Sequence, residues 1–393
     1  MNIRIHSLVF ILFLALSAGG NAYPGEDEDT AETFFTKSKE EAYEEIFDIL
    51  DIDSVDRTLK KNGIIFSVSI EDMVKDISAD DTKDMGNKLK AMVKKIFIEE
   101  IEDSKNLMLL LISIVLLGSI FVNFSNSLGN GFISENGFYI TYLIITGIML
   151  TSFSVTLDMV VEALNVLLNL IKIIIPVYAV SINFVGHAQS AAAVYEIIMI
   201  GIWLVQVIII NVVIPMIKFF VIVSLINNLN KEDYFSKMSK LINSLVNWIL
   251  KTIIVFIAGL NIIKSLIEPH IDMLGKNMAG KLIQALPTGS MISVLTGTFF
   301  GAGVIVKNSI GIAGIIFIGL IVLTPLLKTF IVMIIVRLTS VILQPIGEKR
   351  YIEGIEGLAE GIRLLMLSLF SAAVLFVLTI AIMAYATGNG GGL

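Results

Sequence analysis

Apolar stretches long enough to cross a bilayer recur along the chain after residue 106, and short polar segments separate them. Leu107–Phe124 and Phe138–Ser154 come first, and both are almost free of charged residues. A helix needs about 20 apolar residues to cross the hydrocarbon core, so these stretches predict spanning helices. Later candidates are Ile197–Val213, Pro215–Ile226, Leu241–Ile267, Ile310–Leu327, Thr329–Leu343 and Leu364–Tyr385.

Proline and glycine interrupt two of the apolar regions. The predicted helix breaks are Pro176, Gly186, Pro215, Pro287, Gly297 and Pro325. Non-helical backbone at membrane depth needs protein or water as a hydrogen-bond partner, and transporters place binding sites at such breaks.

The interrupted regions share an order of residues. Pro176, Gly186, Pro215, Lys218 and Phe220 recur as Pro287, Gly297, Pro325, Lys328 and Phe330. The pattern fits an internal duplication, with repeats near 165–260 and 276–372, and fits equally well two unrelated Pro-kinked helices. Both interpretations stay open.

A few polar residues lie within otherwise apolar sequence, where they are costly and often functional. The candidates for a polar path are Lys307, Asn308, Asp158, Glu162, Lys218 and Lys328. Asp158 and Glu162 are one helical turn apart on a common face. We favour a position at the membrane interface for this pair, and the alternative is a carboxylate pair that faces a polar cavity.

The composition agrees with a membrane protein. The 393 residues are 55% hydrophobic and 16% charged, whereas about a quarter of a soluble domain is charged. The mean hydropathy is +0.86. We therefore predict an all-α, polytopic membrane helix bundle over residues 107–386, with Pro/Gly-interrupted segments and a flexible tail at 387–393.

The N-terminal region has a different character. Residues 1–22 combine one arginine, a short apolar run and small residues, as a secretory signal peptide does. Residues 23–106 form a predicted exported domain, small and mainly helical, in which acidic residues far outnumber basic ones. Its charge argues against nucleic acid binding. Residues 344–363 are charged and glycine-rich, and we interpret them as a loop on the cytoplasmic side.

The usual motifs of enzyme and metal sites are missing. The sequence has no H-E-x-x-H, G-x-S-x-G or Walker A motif, no cysteine and only three histidines. We therefore predict no catalytic residue, no metal site and no cofactor. A permease-like or channel-like component and a structural scaffold are the remaining classes, with an intramembrane enzyme less favoured.

Eight motifs in order resemble the stage III sporulation protein AE family. They are LGSIFVNFSNSLG, IIIPVYAVSINFVGHAQSAA, NVVIPMIKFFVIVSLINNL, SKLINSLVNWILKTIIVFIAGL, LPTGSMISVLTG, VIVKNSIG, LTPLLKTF and LQPIGEKR. The resemblance covers residues 107–386 and implies a mother-cell protein of the outer forespore membrane. It also implies membership of a multi-protein channel or secretion-like complex between mother cell and forespore. The resemblance implies other membrane proteins of that complex as partners and a role in sustaining late forespore gene expression. The lipid bilayer is a further partner, and whether the chain forms a homo-oligomer stays open.

Overall fold

The computed structural model describes residues 82–129, 131–184, 200–230, 232–256 and 321–388, with positions 259 and 319. Within these ranges the chain forms helices and turns and no strand, so the all-α prediction is confirmed for this part of the chain. The signal peptide and most of the exported domain lie outside the described residues. So do Gly186, Pro287, Gly297, Lys307 and Asn308.

Six helices in the described ranges are long and apolar enough to cross a membrane. Predicted spans such as Leu107–Phe124 and Phe138–Ser154 lie within the first two, which confirms the polytopic bundle. The helices are α1 (Thr82–Ser127), α2 (Gly131–Phe184), α3 (Ile200–Asn227), α4 (Ser236–Phe256), α5 (Ile321–Leu343) and α6 (Lys349–Gly388). Helix α1 continues without interruption across residue 106, where the sequence predicts a domain boundary.

Short connections join α1 to α2, α3 to α4 and α5 to α6, and all three lie at one end of the bundle, here called the turn end. The hydroxyl of Tyr142 near the start of α2 donates a hydrogen bond to the carbonyl of Leu225 near the end of α3. The ring centroids of Phe138 and Tyr351 are 4.9 Å apart, which brings the start of α6 to the same level. The helices α3 and α5 therefore both run towards the turn end.

Large apolar side chains occur on the outside of the bundle as well as inside it. Leu117 and Val255 are each 69% exposed, while Leu111 and Val115 are fully buried. A helix that is apolar all round fits a membrane, where lipid contacts the outer face. The outer surface of the bundle is therefore suited to lipid.

The interpretation of residues 344–363 as a loop is wrong, because α6 begins at Lys349. Gly354, Gly357 and Gly361 of this segment lie on the helix face that packs against α2 and α3. An added Cβ atom at Gly354 would come within 2.9 Å of the Tyr142 hydroxyl, and one at Gly357 would collide with Ser224. These glycines allow close helix packing, as small residues do in membrane bundles, and do not mark a loop.

Pro176, Pro215 and Pro325 lie within helices, whereas Pro345 lies in the turn between α5 and α6. A proline lacks the N–H group and its ring clashes with the carbonyl four residues earlier. Directly before Pro215 the helix α3 contains a π-helical turn at Ile209–Val213, which accommodates the ring while the helical path continues to Asn227. Helix α2 continues through Pro176 to Phe184, and α5 includes Pro325.

Candidate functional site

A polar cavity of about 580 Å³ lies between α3, α4, α5 and α6 near the turn end. Most of the residues that line it are serine, asparagine or charged residues. Ser224 and Asn227 come from α3, Ser239 from α4, and Ser340 from α5. The α6 side contributes acidic groups and Gly357, whose missing side chain leaves room beside Ser224.

The acidic groups at the cavity are bound either by a lysine or by a neutral hydroxyl or amide group. Glu353 forms a salt bridge with Lys349, one helical turn earlier, at 3.4 Å. Glu356 accepts a hydrogen bond from the hydroxyl of Ser340 at 3.1 Å. Asp233 accepts one from the amide of Asn227 at 3.3 Å. The cavity wall is therefore held in place by contacts between different helices and turns.

Five polar side chains at the inner end of the cavity contact one another and are here called the inner network; three of them, Asn243, Arg337 and Glu360, line the cavity. Its centre is Glu360, whose two carboxylate oxygens accept hydrogen bonds of 2.8 and 2.6 Å from Arg363. The other members are Asn243, Asn247 and Arg337.

The inner network joins three helices. Asn243 of α4 donates to Glu360 at 3.0 Å, and Arg337 of α5 lies 3.4 Å from the same carboxylate. Arg363 also donates to the side-chain oxygen of Asn247 at 3.3 Å. One carboxylate thus holds two arginines and an amide, which connects the α3–α4 hairpin to the α5–α6 hairpin.

Glu360 and Arg363 of the inner network lie well within the apolar part of the bundle, whereas the side chain of Arg337 is 52% exposed. Glu360 is eleven residues beyond the first residue of α6 and Arg363 is fourteen beyond it. At 1.5 Å per residue they lie about 16 and 21 Å along the helix, against a hydrocarbon core of about 30 Å. The Glu360 side chain is only 23% exposed. Ionisable groups at such depth are a functional-site hypothesis by default.

A second polar cluster fixes the turn end. The guanidinium group of Arg350 donates to Glu135 of α2 at 3.0 Å and to Glu348 at 2.8 Å. Its central carbon lies 3.4 Å from the centre of the Phe138 ring. The backbone N–H of Glu348 donates to the hydroxyl of Ser119 on α1 at 3.3 Å. This cluster ties α1 and α2 to the α5–α6 turn.

None of the four candidates for a polar path that the structure describes lines the cavity. Asp158 and Glu162 are exposed on α2, about 40 and 47 Å along the helix from its first residue, and neither lines the cavity. Lys218 is exposed on α3. Lys328 forms a 3.6 Å salt bridge with Glu100 of α1, a residue that the sequence analysis did not single out. Lys307 and Asn308 lie outside the described residues.

The sequence-based prediction missed Glu360 and Arg363 as site residues because it interpreted residues 344–363 as a loop. A helical signal was present, since Tyr351, Ile355, Leu358 and Ile362 recur at intervals of three or four residues and are all buried. On such a helix Glu360 and Arg363 are neighbours. Among the described residues no group of three or more histidine or acidic side chains could hold a metal ion.

Comparison with known proteins gives a consistent result. The family model described as stage III sporulation protein AE matches residues 68–387. This range contains all six helices except Gly388, the last residue of α6. The chain is similar to the stage III sporulation protein AE of Bacillus subtilis (strain 168), with 24% identity over 309 residues. That alignment covers 77% of this chain and 75% of the relative. No solved structure matches.

Proposed function

Because the chain belongs to the stage III sporulation protein AE family, we propose that it is a membrane component of a multi-protein channel complex. This complex links mother cell and forespore during sporulation. The chain lies in the outer forespore membrane, with residues 23–106 outside the mother-cell cytoplasm. Its partners are other membrane proteins of the complex and further copies of itself.

The observation that carries a permease-like role is the polar cavity with the inner network at its base. A charged residue at the centre of a spanning helix costs about 2.5–3.5 kcal/mol on insertion scales. Apolar packing between α4, α5 and α6 would hold the helices together without that cost. A cavity lined by hydroxyl, amide and charged groups is, however, what a path for polar solutes requires.

A structural scaffold within the same complex is the second candidate. It is favoured by the pairing of the charged groups, because Glu360 is bound to Arg363 and Arg337, and Lys328 is bound to Glu100. Paired charges can specify which helices pack together without any solute passing between them. The two candidates differ in whether the cavity must stay open.

Filling the cavity separates these candidates. Ser239 lines the cavity on α4, and the neighbouring Met238 is exposed and does not line it. Ser239→Trp and Met238→Trp would be expressed in a sporulating strain that lacks its own copy of the gene. The measurements are a late forespore reporter, the abundance of the protein and co-purification of cross-linked membrane partners.

Under the permease-like role, Ser239→Trp abolishes the reporter while abundance and co-purification stay normal, and Met238→Trp is tolerated. Normal reporter activity with Ser239→Trp would reject that role and leave the scaffold. Normal reporter activity in the strain without any copy of the gene would reject both candidates.

A further inference from the structure

We propose that the polar cavity is a water-filled vestibule that opens at the turn end, and that the inner network is the closure that separates it from the rest of the bundle. This proposal deepens the proposed function, since a closed vestibule is one half of a regulated path for polar solutes. Its first support is the wall of the cavity, which offers partners for water on all four helices. A cavity of about 580 Å³ holds many waters, because one water in the liquid occupies about 30 Å³.

The second support is the change in environment along one face of α4. Ser239, Asn243, Val246 and Leu250 lie on one stripe of this helix, because they are spaced at three or four residues. Ser239 lines the cavity, and Asn243 both lines it and donates to Glu360. Val246 is fully buried and Leu250 is 3% exposed. The stripe therefore changes from a polar wall to buried apolar packing at the level of the inner network.

The same change occurs on α5 and α6. Arg337 contributes to the network, and Val336 beside it and Met333 one turn further are buried. On α6 the network residue Arg363 is followed directly by Leu364 and Leu365, both fully buried. Apolar side chains thus follow the network on all three helices that it connects.

The network is suited to closing the vestibule because its contacts converge on one group. Glu360 accepts hydrogen bonds from Asn243 of α4 and from Arg363 of its own helix, and it pairs with Arg337 of α5. Loss of its negative charge therefore weakens the contacts of α6 to both α4 and α5. The two arginines would then repel one another at close range and seek water. We expect water from the vestibule to reach the stripe beyond the network.

Cysteine accessibility tests this directly, since the chain contains no native cysteine. Ser239→Cys reports on the vestibule and Leu250→Cys reports on the stripe beyond the network. Each is made alone and together with Glu360→Gln, and membrane vesicles are treated with a small water-soluble methanethiosulfonate. Leu245 lies on the outer face of α4 and is 41% exposed, so Leu245→Cys controls for reaction from the lipid side.

We expect fast modification of Ser239→Cys in both backgrounds. Leu250→Cys should react slowly alone and about tenfold faster with Glu360→Gln, a change that corresponds to about 1.4 kcal/mol in the opening equilibrium. Leu245→Cys should not change. Slow modification of Ser239→Cys would mean a dry cavity, and fast modification of Leu250→Cys alone would mean no closure; either result overturns the proposal.

The proposal would also be overturned if Glu360→Gln did not change the rate at which Leu250→Cys is modified. If Glu360→Gln lowers the abundance of the protein, Asn243→Ala removes one contact to Glu360 and is used in its place, with the same expected direction. The measurement needs neither sporulation nor partner proteins. Its failure is therefore distinguishable from failure of the proposed role in the channel complex.

Discussion

The hydroxyl of Tyr142 on α2 donates a 2.7 Å hydrogen bond to the backbone carbonyl of Leu225 on α3. Leu225 is among the last residues of α3, where carbonyl groups lose their helical partners. The N–H of Leu229, four residues later, donates to Ile226 instead. The Tyr142 side chain thus satisfies a carbonyl group at the end of a helix, 83 positions away in the sequence, and fixes α3 against α2.

We expect Tyr142→Phe to lower the free energy of unfolding by about 1–3 kcal/mol, because it leaves a buried carbonyl without a partner. Thermal unfolding in detergent measures the loss, and hydrogen exchange should become faster near Leu229. Tyr139→Phe, at a half-buried position on the same helix, is the control. Equal melting temperatures for the two variants would show that the hydrogen bond contributes nothing.

Gly361 should tolerate no side chain. An added Cβ atom there would collide with Val221 of α3 and lie 3.5 Å from the ring of Phe153. We expect Gly361→Ala to lower the free energy of unfolding by about 1–3 kcal/mol through overpacking. Gly147→Ala on α2 is the matched control, because nothing lies within 4 Å of its Cβ position. The same melting temperature for both variants would contradict the close packing of α6 on α3.

The salt bridge between Lys328 and Glu100 should contribute to stability. The Glu100 side chain is only 12% exposed and also accepts a hydrogen bond from Ser104 at 3.2 Å. Lys328→Met leaves this carboxylate without its cation, and we expect a loss of about 1–3 kcal/mol, between the values for surface and buried pairs. The melting temperature in detergent reports the loss.

Two further variants make that prediction specific. Lys218→Met removes an exposed lysine from the corresponding position of the repeated motif and should have little effect. Adding Glu100→Gln to Lys328→Met should recover part of the stability, since the uncompensated charge is then gone. No recovery in the double variant would mean that Lys328 acts through packing of its aliphatic chain.

Lys307 remains the strongest candidate from the sequence for a functional charge outside the described residues. Lys307→Met keeps most of the side-chain volume and removes the charge. Under the permease-like role we expect loss of the late forespore reporter at normal protein abundance, with Lys251→Met, an exposed lysine on α4, as the control. Normal sporulation by Lys307→Met at the normal protein level would exclude a functional role for this charge.

The proposed orientation places residues 23–106 outside the mother-cell cytoplasm and the turn end inside it. In the cysteine-free chain, Ser38→Cys should react with a membrane-impermeant maleimide in intact protoplasts. Lys237→Cys, at the start of α4 beside the α3–α4 turn, should react only after lysis. The opposite pattern would reverse the orientation of every helix.

The repeated motif shows how much of the structure a pattern in the sequence can predict. Pro215 and Pro325 both lie on helices that run towards the turn end, as parallel repeats would require. However, Phe220 is buried at 4% exposure, whereas Phe330 is 41% exposed. The matching residues therefore have different surroundings, and the other half of each motif lies largely outside the described side chains. Duplication and coincidence both stay open.

The sequence by itself determined the class of the protein and most of its spanning helices. Hydrophobic length decides whether a helix can cross a bilayer, and this is a local property that Leu107–Phe124 and Phe138–Ser154 carry within themselves. The order of eight short motifs was likewise enough to indicate the family, which the family model confirms.

Only the tertiary structure decided where the polar chemistry lies. Glu360 meets Asn243 across 117 positions of sequence, and Lys328 meets Glu100 on another hairpin. Such partners depend on which helix faces come together, and glycines set that geometry by letting α6 approach α2 and α3. In the sequence the same glycines have the appearance of a loop, because flexibility and close packing both favour a residue without a side chain.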